Sequence, residues 1–309
     1  ITRTAQLDVL CSVDAAQAGI DTNGTQIVDI RVNNAVHFGI ELDVLLTSDG
    51  QIVVHHDYKL KPEIARTPDG QWIDTFPKLI VKDLSLAEVK KYDVGRLKTN
   101  THYARRYPES QAVDGERVPT LEEVVTSIED LCPPATKLLI EIKTNPEKPD
   151  LTPSPDVLTE AVINTVHTHG ISKKVFILSF DWRALAYVQK QAPEIPTVYL
   201  SLVGARLNNI KPGQPGPSSW MAGIDIDDFN GSIPHAVKVS GGRYWAQYYK
   251  HLTYNELKTA HELGISVFVW TVDSKSEMLR LIEMGVDGII TNRPDLYHQI
   301  FNLSKSPRS

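Results

Sequence analysis

The chain has 309 residues, 41% hydrophobic and 23% charged, an ordinary globular mixture at a length that suits one α/β barrel with insertions or two ordinary domains. Its formal net charge of −6 argues against a sequence-independent hold on nucleic acid, which needs a basic face. No run approaches the roughly 18 apolar residues needed to cross a bilayer, whereas a small anionic substrate stays open because a local metal ion, Lys or Arg can dominate a pocket.

Taken in chain order, a first strand is expected near Leu7–Cys11 and a second over Gly39–Leu45. Thr47-Ser48-Asp49-Gly50 carries the Asp-Gly hairpin signal, so Gln51 to His55 should run back beside the second strand and end in His55-His56-Asp57. Residues 58–119, rich in Pro, Asp and Lys, separate that strand from its helix and read as one insertion. From about residue 120 short apolar strands alternate with amphipathic helical stretches. Strands are expected at Lys137–Lys143, Val175–Phe180 and Thr197–Val203, then at Tyr244–Gln247 or Ile224–Ile226, and finally at Val267–Thr271 and Gly288–Thr291. Helices are expected from about Asp156 and over Trp182–Gln191, with Pro155 after Ser154 suiting a first helical turn. Ser85/Glu88, Thr120/Glu123, Thr253/Glu256 and Ser274/Glu277 each read as a capping box.

Alternation of this kind implies right-handed crossovers and a parallel sheet, and near-continuous apolar runs imply strands covered on both faces. Eight strands suit a closed (β/α)8 barrel better than an open doubly wound sheet, and no Gly-x-Gly-x-x-Gly turn follows any strand. The chain reads as a single barrel domain over 1–309. The Gly/Pro-rich stretch 204–220 follows a strand and is placed near the mouth of the barrel. Cys11 and Cys132 cannot form a disulfide framework and read as small packed hydrophobes.

Three acidic side chains stand out against this apolar frame. Glu41 and Asp43 are two residues apart on a strand and project to the same side. If that side is the barrel interior they repel, and a hard cation such as Mg²⁺ or Ca²⁺ resolves the conflict by taking both as ligands; in the other register both point into solvent. Glu141, inside the apolar Ile140-Glu141-Ile142, needs a partner, which Lys143 or a shared metal can supply. The hairpin would return one of His55 and His56 close to the Glu41/Asp43 pair.

The segments ELDVLLTSDGQIVVHHD (41–57), LLIEIK (138–143), ILSFD (177–181), VFVWTVD (267–273) and GVDGIITNRPD (285–295) together resemble the glycerophosphodiester phosphodiesterase family. Ala65-Arg66-Thr67 and VPTLEEV (118–124) extend the likeness more loosely. The resemblance implies a (β/α)8 barrel with an insertion after the second strand. It implies Glu41, Asp43 and Glu141 as metal ligands, His56 as general acid or base, and Lys143 and Trp270 as contacts to phosphate and substrate. The activity implied is metal-dependent hydrolysis of glycerophosphodiesters to glycerol 3-phosphate and an alcohol, with a substrate hydroxyl or a water as nucleophile.

One stretch departs from the family pattern. The first strand of the family ends in His-Arg-Gly, but residues 8–26 contain no histidine, and His37 lies too late to sit there. The segment 27–39, where the resemblance implies the first helix, is rich in β-branched residues and poor in strong helix formers. Either the chain is a divergent member lacking one catalytic histidine and its arginine, or residues 10–37 do not represent the protein. Two rivals to the hydrolase follow: a catalytically impaired phosphodiester-binding relative, and a phospholipase acting on membrane lipid, for which Trp220 is the one hint of an exposed aromatic. Ile1 in place of Met points to a processed, trimmed or incomplete chain, which is compatible with a periplasmic or secreted location.

Overall fold

The computed structural model describes residues 25–32, 35–108, 110–205 and 207–305; the strand expected near Leu7–Cys11 lies outside them. Among the described residues nine strands form: β1 (Thr25–Val32), β2 (Ala35–Leu46), β3 (Ile52–Val54), β4 (Lys137–Ile142), β5 (Val175–Ser179), β6 (Thr197–Ser201), β7 (Tyr244–Tyr248), β8 (Ser266–Trp270) and β9 (Gly288–Thr291). The α-helices are α1 (Leu86–Val89), α2 (His102–Arg106), α3 (Leu121–Leu131), α4 (Pro155–Thr168), α5 (Trp182–Gln191), α6 (Ile233–Val239), α7 (Tyr254–Glu262), α8 (Lys275–Met284) and α9 (Pro294–Lys305).

Strand β2 and strands β4 to β9 run parallel, each beside the next, in the curled order of an α/β barrel. The remaining gap, between β9 and β2, is filled by β1, which is antiparallel to both neighbours. The expectation of a helix over 27–39 is therefore corrected. TQIVDIRV and AVHFGIELDVLL form an antiparallel hairpin, with Val32 opposite Ala35 and Thr25 opposite Leu42. Ile27, Val28, Ile30 and Val32 are stiff at χ1, and an extended, pleated chain suits them better than a helix does. The alternative strand at Ile224–Ile226 is not used; Tyr244–Tyr248 takes that place, and Ile226–Phe229 is a single 3₁₀ turn.

Alternation along the strands separates two cores. Leu139, Phe176, Leu178, Val198, Leu200, Ala246, Phe268 and Ile290 fill the barrel, while Leu42, Val44, Ile140 and Ile142 belong to the larger layer beneath the helices. Leu139 is fully buried, and Leu139→Ala would cost about 2–5 kcal/mol through the cavity it leaves. The same parity fixes the acids. With Leu42 and Val44 turned to the helices, Glu41 and Asp43 face inward, and Glu141 shares the inner face with Leu139.

Helix ends follow the polar signals closely. Ser85, Thr120 and Thr253 each complete a reciprocal capping box with the Glu three residues on. Ser274 does not: it caps α8 without a side-chain bond, because Glu277 turns to Arg280 at 2.8 Å instead. The tight turn after β2 is tied by the Thr47 hydroxyl donating to Asp49 at 2.6 Å, with Gly50 at φ +77°. Between β3 and α3, a small separate cluster of Leu60, Ile73, Val81, Val89 and Val94 packs on Leu45 and Val53. It holds α1, through Leu86 and Val89, against the rest of the chain.

Candidate active site

Glu41, Asp43 and Glu141 meet at the C-terminal ends of two neighbouring parallel strands. Asp43 is opposite Glu141 in the β2–β4 register, and Glu41 is opposite Leu139. All three are buried, at 4%, 2% and 8% exposure, and ligand oxygens of the three lie within 4.8 Å of one another. Lys143 Nζ sits between two of them, 3.2 Å from Asp43 Oδ1 and 3.0 Å from Glu141 Oε1. The lysine is thus neither a simple partner of Glu141 nor a free phosphate ligand; it is shared.

Three carboxylates against one ammonium leave the group short of positive charge. Burial and the neighbouring Asp43 and Glu141 carboxylates push Glu41 well above the ordinary value, with Lys143 acting the other way. Burial also pushes Glu141 up to about 7, against the pull of Lys143. Burial alone would lower Lys143, yet the Asp43 and Glu141 charges hold it well above its ordinary value. Such a set fits a hard divalent cation, which takes oxygen ligands and supplies the missing charge.

Strand β3 ends beside this group. His55 N–H donates to the Asp43 carbonyl at 3.0 Å, which returns the chain to the strand end, and the His55 side chain is buried at 1% exposure. His56 faces the other way, its side chain 49% exposed, and it is close enough to Glu141 for its charge to act on that carboxylate. Of the two histidines, only His56 is open to a reactant. His56 Nδ1 lies 3.3 Å from Asp57 Oδ1.

The opposite side of the same tier is aromatic. Phe180 and Trp270 pack edge to face at 5.4 Å between centroids, and Tyr248 lies 5.5 Å from Trp270. The Trp270 indole N–H donates to the Ala246 carbonyl at 3.2 Å, so one edge of the ring is anchored in the barrel while the side chain is only half-buried. Trp270 is therefore a packing residue, with part of its ring left exposed.

Comparison with known proteins identifies the family of the chain. The glycerophosphoryl diester phosphodiesterase family matches residues 32–296. The chain belongs to that family. A Bacillus subtilis glycerophosphodiester phosphodiesterase is 31% identical over 277 residues, covering 84% of this chain and 75% of its own. One from Caldanaerobacter subterraneus subsp. tengcongensis is 30% identical over 257 residues, 83% of each chain. A solved Silicibacter pomeroyi structure, provisionally named a glycerophosphoryl diester phosphodiesterase, shares 30% identity and a TM-score of 0.74 over 85% of this chain and 83% of its own.

The match to the glycerophosphoryl diester phosphodiesterases begins at the last residue of β1, so nearly all of the antiparallel strand precedes it. Two features of the site escape sequence reasoning. Tyr248 follows from the parity of Tyr244, Ala246 and Tyr248 on β7 and could have been found that way. Tyr103, whose hydroxyl donates to Asp57 Oδ2 at 2.8 Å across 46 residues, carries no local signal at all. Trp220 is corrected in the other direction. At 2% exposure it is buried and offers no aromatic to a membrane surface. Among the described residues no helix is long and apolar enough to cross one.

Proposed function

We propose that the protein is a divalent-metal-dependent phosphodiesterase that hydrolyses glycerophosphodiesters to glycerol 3-phosphate and an alcohol. Family membership and the activities named for the Bacillus and Caldanaerobacter relatives support the reaction. The observation that carries the metal is the buried trio of carboxylates within 4.8 Å of one another, at strand ends, with one lysine among them. Glu41, Asp43 and Glu141 would hold Mg²⁺ or Ca²⁺, both hard cations that prefer carboxylate oxygens. When bound, the cation polarises a phosphoryl oxygen and offsets the charge that develops there.

The chain's own groups do the rest. His56, half exposed beside the trio, is the group that exchanges the proton at the bridging oxygen, so that the alcohol leaves neutral as the P–O bond breaks. Lys143, which shares its charge between Asp43 and Glu141, turns to a phosphate oxygen once a cation neutralises those carboxylates. Trp270 and its neighbours wall the side of the cleft away from the acids. The nucleophile is a substrate hydroxyl beside the phosphate, or a water.

A second reading keeps the binding and drops most of the turnover. What favours it is the absence of a histidine before His37 and the antiparallel strand that fills the first barrel position. A lone His56 must then serve the leaving group without a partner for the nucleophile. Glycerol 3-phosphate release from glycerophosphocholine, measured with Mg²⁺ or Ca²⁺ and again with EDTA, tests the proposal. Turnover that survives EDTA removes the metal mechanism, and calorimetric binding without product selects the second reading.

A further inference from the structure

The hydrogen bonds around Asp57 reach beyond what the hydrolase reading uses. The two oxygens of this carboxylate are divided between two tasks. Oδ2 accepts from the Tyr103 hydroxyl at 2.8 Å and lies 2.6 Å from Lys61 Nζ, while Oδ1 is left for His56 Nδ1 at 3.3 Å. Lys61 Nζ also donates to the Tyr103 hydroxyl at 3.1 Å and lies over the Tyr103 ring at 5.1 Å, closing a three-membered ring of contacts. Tyr103 reaches this point from α2, whose first turn is fixed by Thr101 accepting from the Ala104 N–H at 3.3 Å.

We propose that Tyr103 and Lys61 are positioning residues for His56, clamping one oxygen of Asp57 so that the other holds the imidazole at Nδ1 and leaves Nε2 to exchange the proton. The inference rests on the reading of His56 as the proton-exchanging group. Its physical basis is the chemistry of a neutral imidazole, which carries one N–H and has two tautomers. A carboxylate fixed beside Nδ1 selects the Nδ1–H form, because that N–H has a charged acceptor waiting and Nε2 does not need one. A carboxylate free to rotate selects nothing. With Oδ2 occupied by two donors, rotation of Asp57 breaks two charge-assisted bonds at once. The clamp comes from the segment between β3 and α3, so that segment reaches the reaction through the orientation of one ring.

The test uses the full chain and Tyr103→Phe, which removes one hydroxyl and keeps the ring over Lys61. The kcat on glycerophosphocholine falls roughly tenfold with KM unchanged, and the melting temperature drops by no more than a few degrees, as loss of one bond to a charged group predicts. Lys61→Met behaves likewise. In a His56→Ala background Tyr103→Phe has no further effect, because the group it positions is gone. Nitrogen-15 spectra of labelled histidine show His56 as the Nδ1–H tautomer in the wild type and as a mixture in Tyr103→Phe. An unchanged tautomer in Tyr103→Phe overturns the proposal, and so does a rate loss that persists undiminished without His56. If His56→Ala itself turns over like the wild type, the proton role of His56 fails instead. The tautomer measurement then still decides whether the clamp exists.

Discussion

The acidic and the aromatic groups at the strand ends solve opposite problems. The ends of β5, β7 and β8 carry Phe180, Tyr248 and Trp270, whose rings pack against one another and whose one buried donor, the Trp270 indole, is bonded to the Ala246 carbonyl. That wall is complete as it stands. The ends of β2 and β4 carry Glu41, Asp43 and Glu141 around Lys143, and the arrangement is left short of positive charge. Evolution of a stable barrel gives no reason to bury three acids on one side and none on the other. On the proposed reading, the imbalance is where a cation would bind and the aromatic side is where an uncharged part of the substrate would rest.

The contrast breaks most completely at Glu41, which lacks the lysine contact of the other two acids. Glu41→Gln should abolish metal-dependent turnover and the thermal shift caused by added Mg²⁺ or Ca²⁺. In the metal-free protein it should instead stabilise at alkaline pH, where Glu41 would otherwise add a further charge to a crowded like-charge group. Denaturant melts in EDTA measure this, and a destabilised metal-free Glu41→Gln protein would contradict the charge imbalance. Next in size is His56→Ala. The kcat should fall on the order of 10²–10⁴-fold while the cation-induced thermal shift survives, separating proton exchange from metal binding.

The aromatic side gives a smaller effect with a different signature. Trp270→Phe keeps a ring against Phe180 and should leave kcat nearly intact while raising KM a few-fold, roughly what partial loss of apolar contact area predicts. Steady-state kinetics on glycerophosphodiesters with small and large alcohols measure it. A fall in kcat with KM unchanged would move Trp270 from the wall to the chemistry.

Much of this division was legible in the chain, and the reasons differ from residue to residue. Glu41, Asp43 and Glu141 were visible because a carboxylate in an apolar strand contradicts its surroundings, and the parity of Leu42, Val44 and Leu139 settles which way they point. Three capping boxes formed as spaced; the one at Ser274 failed because Glu277 had a competing Arg280 one helical turn away. The hairpin over Thr25–Leu46 was missed since a family pattern, read onto 27–39, implied a helix that the β-branched residues there resist. Asp57 stood in plain view beside His56 without a role. Its partners, four residues on at Lys61 and far along the chain at Tyr103, meet only through the fold of the segment between them.

The smallest effect sharpens the charge imbalance by titrating it. Glu141 is held at about 7 and Glu41 well above its ordinary value near 4.5, so between those limits the folded protein holds protons that the unfolded chain has released. Stability rises with pH only where the unfolded state binds more protons, and here it binds fewer. The contribution of Glu141 is therefore complete below about pH 4.5 and is lost as pH climbs through about 7, and that of Glu41 is lost in the same direction as its raised carboxyl ionises. A divalent cation binds the ionised carboxylates and competes with the same protons, so its effect runs the other way. The difference in melting temperature between cation-loaded and EDTA-treated protein should thus be small at pH 5 and widest near pH 8. In Glu41→Gln the widening should vanish. A difference that stays flat from pH 5 to pH 8 in the wild type would mean that the cation acts somewhere other than these acids, and the imbalance between the two walls would need another explanation.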